Sequence, residues 1–408
     1  MTAPSRARAG ILLFALAIFA ADALLPAPAE ARAEAASAPT VAPETATARG
    51  AAAADRGDFA EALRWYRIAA EKGSAEAQFE IGVLYDTGQG VAQDPAEALR
   101  WYQRAADQGF APAQVNIGAA YEAGEGVPQD YGEAMRWLRK AADQGYALGQ
   151  HNIGALYENG HGVAQDYAEA MRWYRMAAEQ GLDRAQYQVG VLYEYGRGVP
   201  QDNAEAIRWY RMAADQGLDR AQYQVGVLYE YGRGVRQNFT KAMRWYRRAA
   251  AQGLASAQTN IGYLYGAGLG VPKDNAEAMR WYRMGAAQGD ALAQFNIGVM
   301  YERDRSVRQN YEKAVRWYRR AANQGLARAQ LNLGVMYENG WGLAQDYVEA
   351  MRWYRQAADQ DLPIAERAIG ALYVNGLGVP QDLAEARKWL EKAAAGGDDV
   401  AAQWLKEN

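Results

Sequence analysis

The residues that could do chemistry in this chain are few. Two histidines, His151 and His161, stand ten apart. An imidazole titrates near neutrality and can serve as general base or metal ligand. Neither has a partner histidine, and one falls on a helical pattern while the other falls in a loop. There is no cysteine, which excludes disulfides, thiolate metal sites and thiol nucleophiles. Ser74, Ser256 and Ser306 lie beside no histidine, so no serine triad can be drawn. Carboxylates are plentiful but recur in register, whereas a catalytic pair would be singular. Gly-x-Gly segments could suggest phosphate cradles. Those need a preceding strand and a following helix start, and here each follows a helix C-terminus, where the dipole is negative. No catalytic, cofactor-binding or metal-ligating residue is assigned.

Other polar residues recur in rows. Asn116, Asn152, Gln188, Gln224, Asn260, Asn296 and Asn332 follow one another every 36 residues. An amide both donates and accepts, so such a row can pair with peptide backbone whatever its sequence. One position earlier stand Phe79, His151, Tyr187, Tyr223 and Phe295; aromatics supply contact area at low entropic cost. A third row is acidic: Asp86, Glu122, Glu158, Glu194, Glu230, Glu302 and Glu338. These rows make either a binding face or a solvated and inter-repeat structural face.

The elements that carry them repeat too. Ten tryptophans, from Trp65 to Trp389, are spaced by 36 residues. A fixed period of this size means one small unit copied and stacked. The unit beginning at Ala75 holds two helical patterns. In the first, Ala77, Gln78, Ile81, Gly82 and Tyr85 share one side. The equivalents of 76, 79, 80, 83 and 86 then face away. Gly88-Gln89-Gly90 ends this helix. Asp94 and Pro95 open the second, whose buried stripe is Ala98, Trp101, Tyr102 and Ala105. Gly82 and its equivalents sit inside a helix, at a cost of about 1 kcal/mol each against alanine. The reading is that the glycine is a notch and the tryptophan fills it.

An earlier hairpin, with helices expected over 45–54 and 59–72, precedes the nine that end near Asp398. A last helix holding Trp404 caps the array. Along second helices, arginines flank the Trp-Tyr pair, and pairs such as Glu169–Arg172 add modest support at i, i+3.

The pattern A-Q-x-x-I-G-x-x-Y-x-x-G-x-G-V-x-x-D-x-x-E-A-x-x-W-Y-x-x-A-A-x-x-G resembles the Sel-1-like repeat family, a relative of tetratricopeptide repeats with a longer loop between helices. The match runs from Ala75 to Gly397. The first hairpin, with Asp55-Arg56-Gly57-Asp58, is more similar to an ordinary tetratricopeptide unit. The resemblance implies an all-α, right-handed superhelical solenoid whose first helices line the concave surface. It also implies work as an adaptor for other proteins. That would set the amides, with Tyr187, Tyr223 and Phe295, in a peptide-binding groove. Departures are local. Arg303-Asp304-Arg305-Ser306 replaces one Gly-x-Gly loop, Asn238 and Asn310 replace the capping aspartate, and Asp361-Leu362-Pro363 with Glu366 alters the last junction.

The expected organisation is a signal peptide over 1–31, a linker over 32–45, the tetratricopeptide-like hairpin over 46–74, nine repeats over 75–398 and a cap over 399–408. Arg6 and Arg8 precede an apolar run, followed by small-residue cleavage patterns such as Ala21-Asp22-Ala23, which reads as a secretory signal. Periplasmic or secreted location is expected, with no membrane span after its removal. Net charge is −4, from 44 basic and 48 acidic residues, which gives no electrostatic reason to expect nucleic acid. The function expected is a non-catalytic scaffold for proteins or peptides. An envelope hydrolase and a carbohydrate-binding module are the alternatives.

Overall fold

The computed structural model describes residues 42–303 and 309–408. Expectations for the signal peptide, for most of the linker and for the loop at 304–306 lie outside them. Among the described residues there are twenty-one helices and no strand.

The chain divides into two compact units, Met1–Ala185 and Gln186–Asn408. In the first, four hairpins follow one another: α1 (Pro43–Asp55) with α2 (Phe59–Glu71), α3 (Ala75–Thr87) with α4 (Pro95–Asp107), α5 (Ala111–Ala123) with α6 (Tyr131–Asp143), and α7 (Ala147–Asn159) with α8 (Tyr167–Glu179). The division falls within α9 (Asp183–Tyr195). The second unit continues with α10 (Asn203–Asp215), then α11 (Asp219–Tyr231) with α12 (Phe239–Ala251), α13 (Ala255–Ala267) with α14 (Asn275–Ala287), and α15 (Ala291–Arg303) with α16 (Tyr311–Asn323). It closes with α17 (Ala327–Asn339) and α18 (Tyr347–Ala358), α19 (Pro363–Asn375) and α20 (Leu383–Ala395), and α21 (Asp399–Glu407). Within each unit every helix packs on its neighbours in sequence, the arrangement of a solenoid built from helix pairs.

The hairpin boundaries follow from local chemistry. Gly88 ends α3 in the left-handed region (φ 69°), which a residue with a Cβ adopts at a cost. The backbone N–H of Asp94 then donates to the carbonyl of Tyr85 at 2.9 Å, closing the loop on its own helix. The Asp94 carboxylate accepts from the N–H of Glu97 at 3.0 Å and starts α4. Asn238 and Asn310 cap in the same way, each accepting from a lysine N–H at 2.8 Å. The second glycine of Gly-x-Gly has another task. A Cβ on Gly90 would lie 2.7 Å from the Phe59 carbonyl carbon, so this glycine lets one hairpin's loop touch the preceding hairpin's second helix.

Two boundaries differ from expectation. The linker was expected to reach residue 45, but α1 begins at Pro43, because a proline in the first turn lacks only an N–H that has no helical partner there. At the last junction Asp361 keeps the left-handed turn at φ 54°, although it is not glycine. At the C-terminus, α21 lays Trp404 and Leu405 against Leu390, Ala393 and Ala401, covering the end of the array.

Candidate interaction face

The ring that fills the glycine notch is tyrosine, and the expectation of tryptophan is corrected here. A Cβ on Gly226 would stand 2.5 Å from Tyr246 Cε1, and Gly82, Gly154, Gly190, Gly262, Gly298 and Gly334 face a tyrosine in the same way. Tyr174, Tyr210, Tyr246, Tyr318 and Tyr354 are among the largest wholly buried side chains. Most of the tryptophans sit further out, Trp209 and Trp353 being the buried exceptions. Trp245 and Trp281 flank the apolar cluster of α10 to α13 rather than filling it, and their neighbour in the chain carries the packing. Basic side chains one turn on cover several of them, such as Arg248 over Trp245 at 4.4 Å.

The burial of tyrosine decides what the acidic row does. The Tyr210 hydroxyl donates to Glu194 at 2.7 Å, and Tyr174 to Glu158 at 2.6 Å. Tyr246 donates to Glu230, Tyr318 to Glu302, Tyr354 to Glu338 and Tyr102 to Asp86. Glu194, Glu230 and Glu302 are buried, so their expected outward position is also corrected. On a helix the residue four after the notch glycine lies only about 40° from it, which brings the carboxylate over the phenol. Burial raises the Glu230 carboxyl above its ordinary value, and the Tyr246 hydrogen bond opposes that rise. The phenols are raised as well, chiefly by burial: Tyr66 to about 12, and Tyr102, Tyr210, Tyr246, Tyr318 and Tyr354 further.

The amide row meets these pairs from the next hairpin. Asn116 bonds to Tyr102, Asn260 to Tyr246, and Asn332 to Tyr318; the Asn260 amide also reaches Glu230 at 3.5 Å. Asn152, Gln188, Gln224 and Asn296 are half-buried in the same position. The preceding aromatic row lies on the flank of the notch tyrosine. Tyr187 stands 5.4 Å from Tyr210, Tyr223 5.6 Å from Tyr246 and Phe295 5.6 Å from Tyr318, ring to ring. The three are half-buried, and each ring braces the hairpin that carries it.

Two further ladders escaped the sequence reading. Gln108 donates to Gln78 at 2.8 Å and Gln144 to Gln114 at 2.8 Å, and the same pair recurs as far as Gln360 and Gln330. The arginine after Trp-Tyr reaches the next hairpin: Arg247 donates to the Tyr265 hydroxyl at 2.7 Å and Arg319 to Tyr337 at 2.9 Å. The arginine before it pairs with its upstream glutamate as expected, Arg172 with Glu169 at 2.8 Å.

The histidines are held apart from one another. His151 is half-buried against Tyr174, 5.2 Å between rings, and desolvation lowers its pKa to about 4. His161 stacks on Tyr131 at 4.7 Å, with Nδ1 3.7 Å from Glu122.

A comparison with known families matches the Sel1 repeat ten times, over 49–74 and then in unbroken 36-residue steps from 75–110 to 363–398. The chain belongs to the Sel1 repeat family. Its match at 49–74 covers the hairpin that looks tetratricopeptide-like in sequence, and there Gly50 faces Tyr66 across the same notch. Two solved Sel1-type structures are similar to it. One is c5321, a protective antigen of uropathogenic Escherichia coli strains displaying an SLR fold, at 32% identity and a TM-score of 0.59, covering 92% of this chain and 88% of that one. The other is a Sel1 repeat protein from Oxalobacter formigenes, at 33% identity and a TM-score of 0.60, covering 77% and 93%. A search of curated proteins found no match. Sel1 repeats are in general a non-catalytic, protein-binding fold.

Once the in-phase residues of the Sel1 repeats are accounted for, the outward face is narrow. On the first helices it is carried by the equivalents of 76, 83 and 87. There the second unit places Tyr195 (58% exposed), Tyr231 (60%) and Tyr263 (47%). Sequence reasoning missed Tyr195 and Tyr231 because they occupy the residue after the acidic row, where other repeats have threonine, alanine, asparagine or arginine. Their irregularity was the available signal. Arg197 lies over Tyr195 and Arg233 over Tyr231, each at 5.3 Å.

Proposed function

We propose that this Sel1 repeat chain is a non-catalytic adaptor of the bacterial cell envelope that holds segments of other proteins against its first helices. The observation that carries this reading is the set of exposed tyrosines on the consecutive first helices α9, α11 and α13. A large apolar ring left in water on a scaffold whose other aromatics, Trp341 apart, are at least half-buried is a contact surface in waiting. Gln188 and Gln224 lie seven residues before Tyr195 and Tyr231, on the same helical side. They supply donors and acceptors for a partner's backbone. Asn116, Asn260 and Asn332 serve the scaffold instead, since the notch tyrosines engage them. Export rests on the basic start and apolar run of the N-terminal sequence.

The test is capture from an envelope extract by the wild-type chain and by a Tyr195→Ser, Tyr231→Ser, Tyr263→Ser variant. The variant is expected to keep its melting temperature and lose the captured proteins. Capture unchanged in the variant would overturn the assignment of this face. Binding of purified glycans, with no protein captured, would favour a carbohydrate module.

A further inference from the structure

The Sel1 repeat of α13 and α14 breaks the chain's own pattern. Where six other repeats have an aspartate or glutamate under the notch tyrosine, this one has Gly266. The tyrosine itself is retained. Tyr282 is only 6% exposed, and its hydroxyl donates to no residue among those described. Of the other repeats without the pair, Val374 with Leu390 replaces both members, Leu138 replaces the tyrosine alone while Glu122 stays, and the first hairpin sets Ala54 where the acid would stand under Tyr66. Here the phenol remains without its carboxylate.

What remains is an opening of about 620 Å³ lined by Tyr282, Gly266, Tyr263, Asn296, Lys273 and Arg303, among others. Its polar groups are those that surround a carboxylate in the sister repeats. Tyr282 is the hydroxyl donor, and Asn296 is the amide of the following hairpin, as Asn260 is for Glu230. A second substitution falls in the same repeat. Lys273 replaces the glutamine that elsewhere bonds the carbonyl of the acidic residue, as Gln237 does to Glu230 at 2.8 Å. This lysine is exposed and has no ion-pair partner among the described residues. Arg303 adds a second cation, shared with Glu302 at 2.7 Å. A buried hydroxyl, an amide and a cation around a missing acid are complementary to an incoming anion.

We propose that this opening receives the side-chain carboxylate of an acidic segment in a partner polypeptide, in the place a glutamate of the chain's own helix holds in the other repeats. A polypeptide fits better than a free acid because the opening is far larger than a carboxylate, within the range of about 300–1,000 Å³ usual for ligand clefts. The exposed ring of Tyr263 also forms one of its walls. The inference rests on the adaptor reading and names the chemistry its partner brings.

The test uses the full-length chain and a library of acetylated, amidated heptapeptides randomised around a central glutamate, aspartate, glutamine or alanine. The wild type is expected to enrich the acidic centres over glutamine by about tenfold or more. Gly266→Glu fills the opening from within and should abolish that preference. Gly266→Ala should preserve it, because a Cβ there meets only ordinary contacts, 3.6 Å to Ala278 Cβ and 3.9 Å to the Tyr282 hydroxyl. Lys273→Gln should weaken it. Gly266→Glu should also melt higher than Gly266→Ala, since it gives Tyr282 an acceptor. Equal enrichment of glutamine, no enrichment at all, or a preference that survives Gly266→Glu would each overturn the proposal. Glutarate binding without peptide binding would overturn the polypeptide as its source. Capture from envelope extract that persists in Gly266→Glu but fails in the tyrosine variant would leave the adaptor reading standing and remove this site.

Discussion

Tyr246 donates its hydroxyl to Glu230 from within a notch that Gly226 opens in the facing helix. Four residues make one joint: the glycine admits the ring, the ring reaches the acid, and Asn260 of the next hairpin joins both. Stability in such an array is close to a sum of hairpin and nearest-neighbour terms, so a damaged joint should loosen its own neighbourhood first.

Closing the notch should damage that joint. Gly226→Ala sets a Cβ 2.5 Å from Tyr246 Cε1. Overpacking of this kind costs about 1–3 kcal/mol, offset by about 1 kcal/mol of helix propensity, so a net loss of up to about 2 kcal/mol is expected by denaturant unfolding. In Gly226→Ala combined with Tyr246→Leu, the alanine should cost less, because a leucine already faces Gly118 and Gly370.

Removing the hydroxyl alone should also cost. Tyr210→Phe leaves the Glu194 carboxylate buried without its donor, and about 1.5–3 kcal/mol is expected from the loss of a hydrogen bond to a charged group. Paired replacement by Tyr210→Leu and Glu194→Val, the combination natural at Leu390 and Val374, should cost less than the sum of its parts. A double-mutant cycle measures the difference.

The Glu230 carboxyl has a sign that can be checked. Its folded pKa lies above the ordinary 4.5, first because of burial. A raised acid binds its proton earlier in the folded state. Its contribution to stability is therefore present in full below 4.5 and is lost as pH rises through the folded value. Wild type minus Glu230→Gln should accordingly shift in favour of wild type as pH falls through that window. A pH-independent difference would contradict the assignment.

The phenols give the alkaline counterpart. Tyr66, raised to about 12, and the still higher notch tyrosines hold their protons in the folded chain when the unfolded chain, near 10, releases them. Stability should fall as pH rises beyond 10. Absorbance at phenolate wavelengths should show these rings silent until the chain unfolds.

The last repeat replaces the glutamine pair by an ion pair. Lys392 meets the buried Glu366 at 2.8 Å, where Gly396 stands at the position of the usual partner glutamine. Lys392→Met should strand that acid at a cost of about 1–3 kcal/mol, and adding Glu366→Gln should recover most of it.

Much of this was legible in the sequence. Asp94, Gly88 and Gly109 fix hairpin boundaries by local chemistry, which a single repeat displays. Which of two adjacent rings enters the notch is a question of about 100° around a helix, and Trp101 and Tyr102 give no local answer. Leu138 and Leu390 held a clue, since the packing position tolerates leucine while Trp137 and Trp389 stay. The amide row was visible as a row, but its bonds to Tyr102, Tyr246 and Tyr318 depend on the neighbouring hairpin. Tyr195 and Tyr231 are not legible from the repeat pattern, because they stand at a position that varies from repeat to repeat.

The central claim is that partners bind the first-helix face through Tyr195, Tyr231 and Tyr263. Oxidative footprinting of the chain with and without a captured partner tests it most directly. The account predicts protection of these three rings, while Met212 of α10 and Met284 of α14, both exposed on second helices, react as before. Protection of the two methionines with the tyrosines still reactive would contradict it.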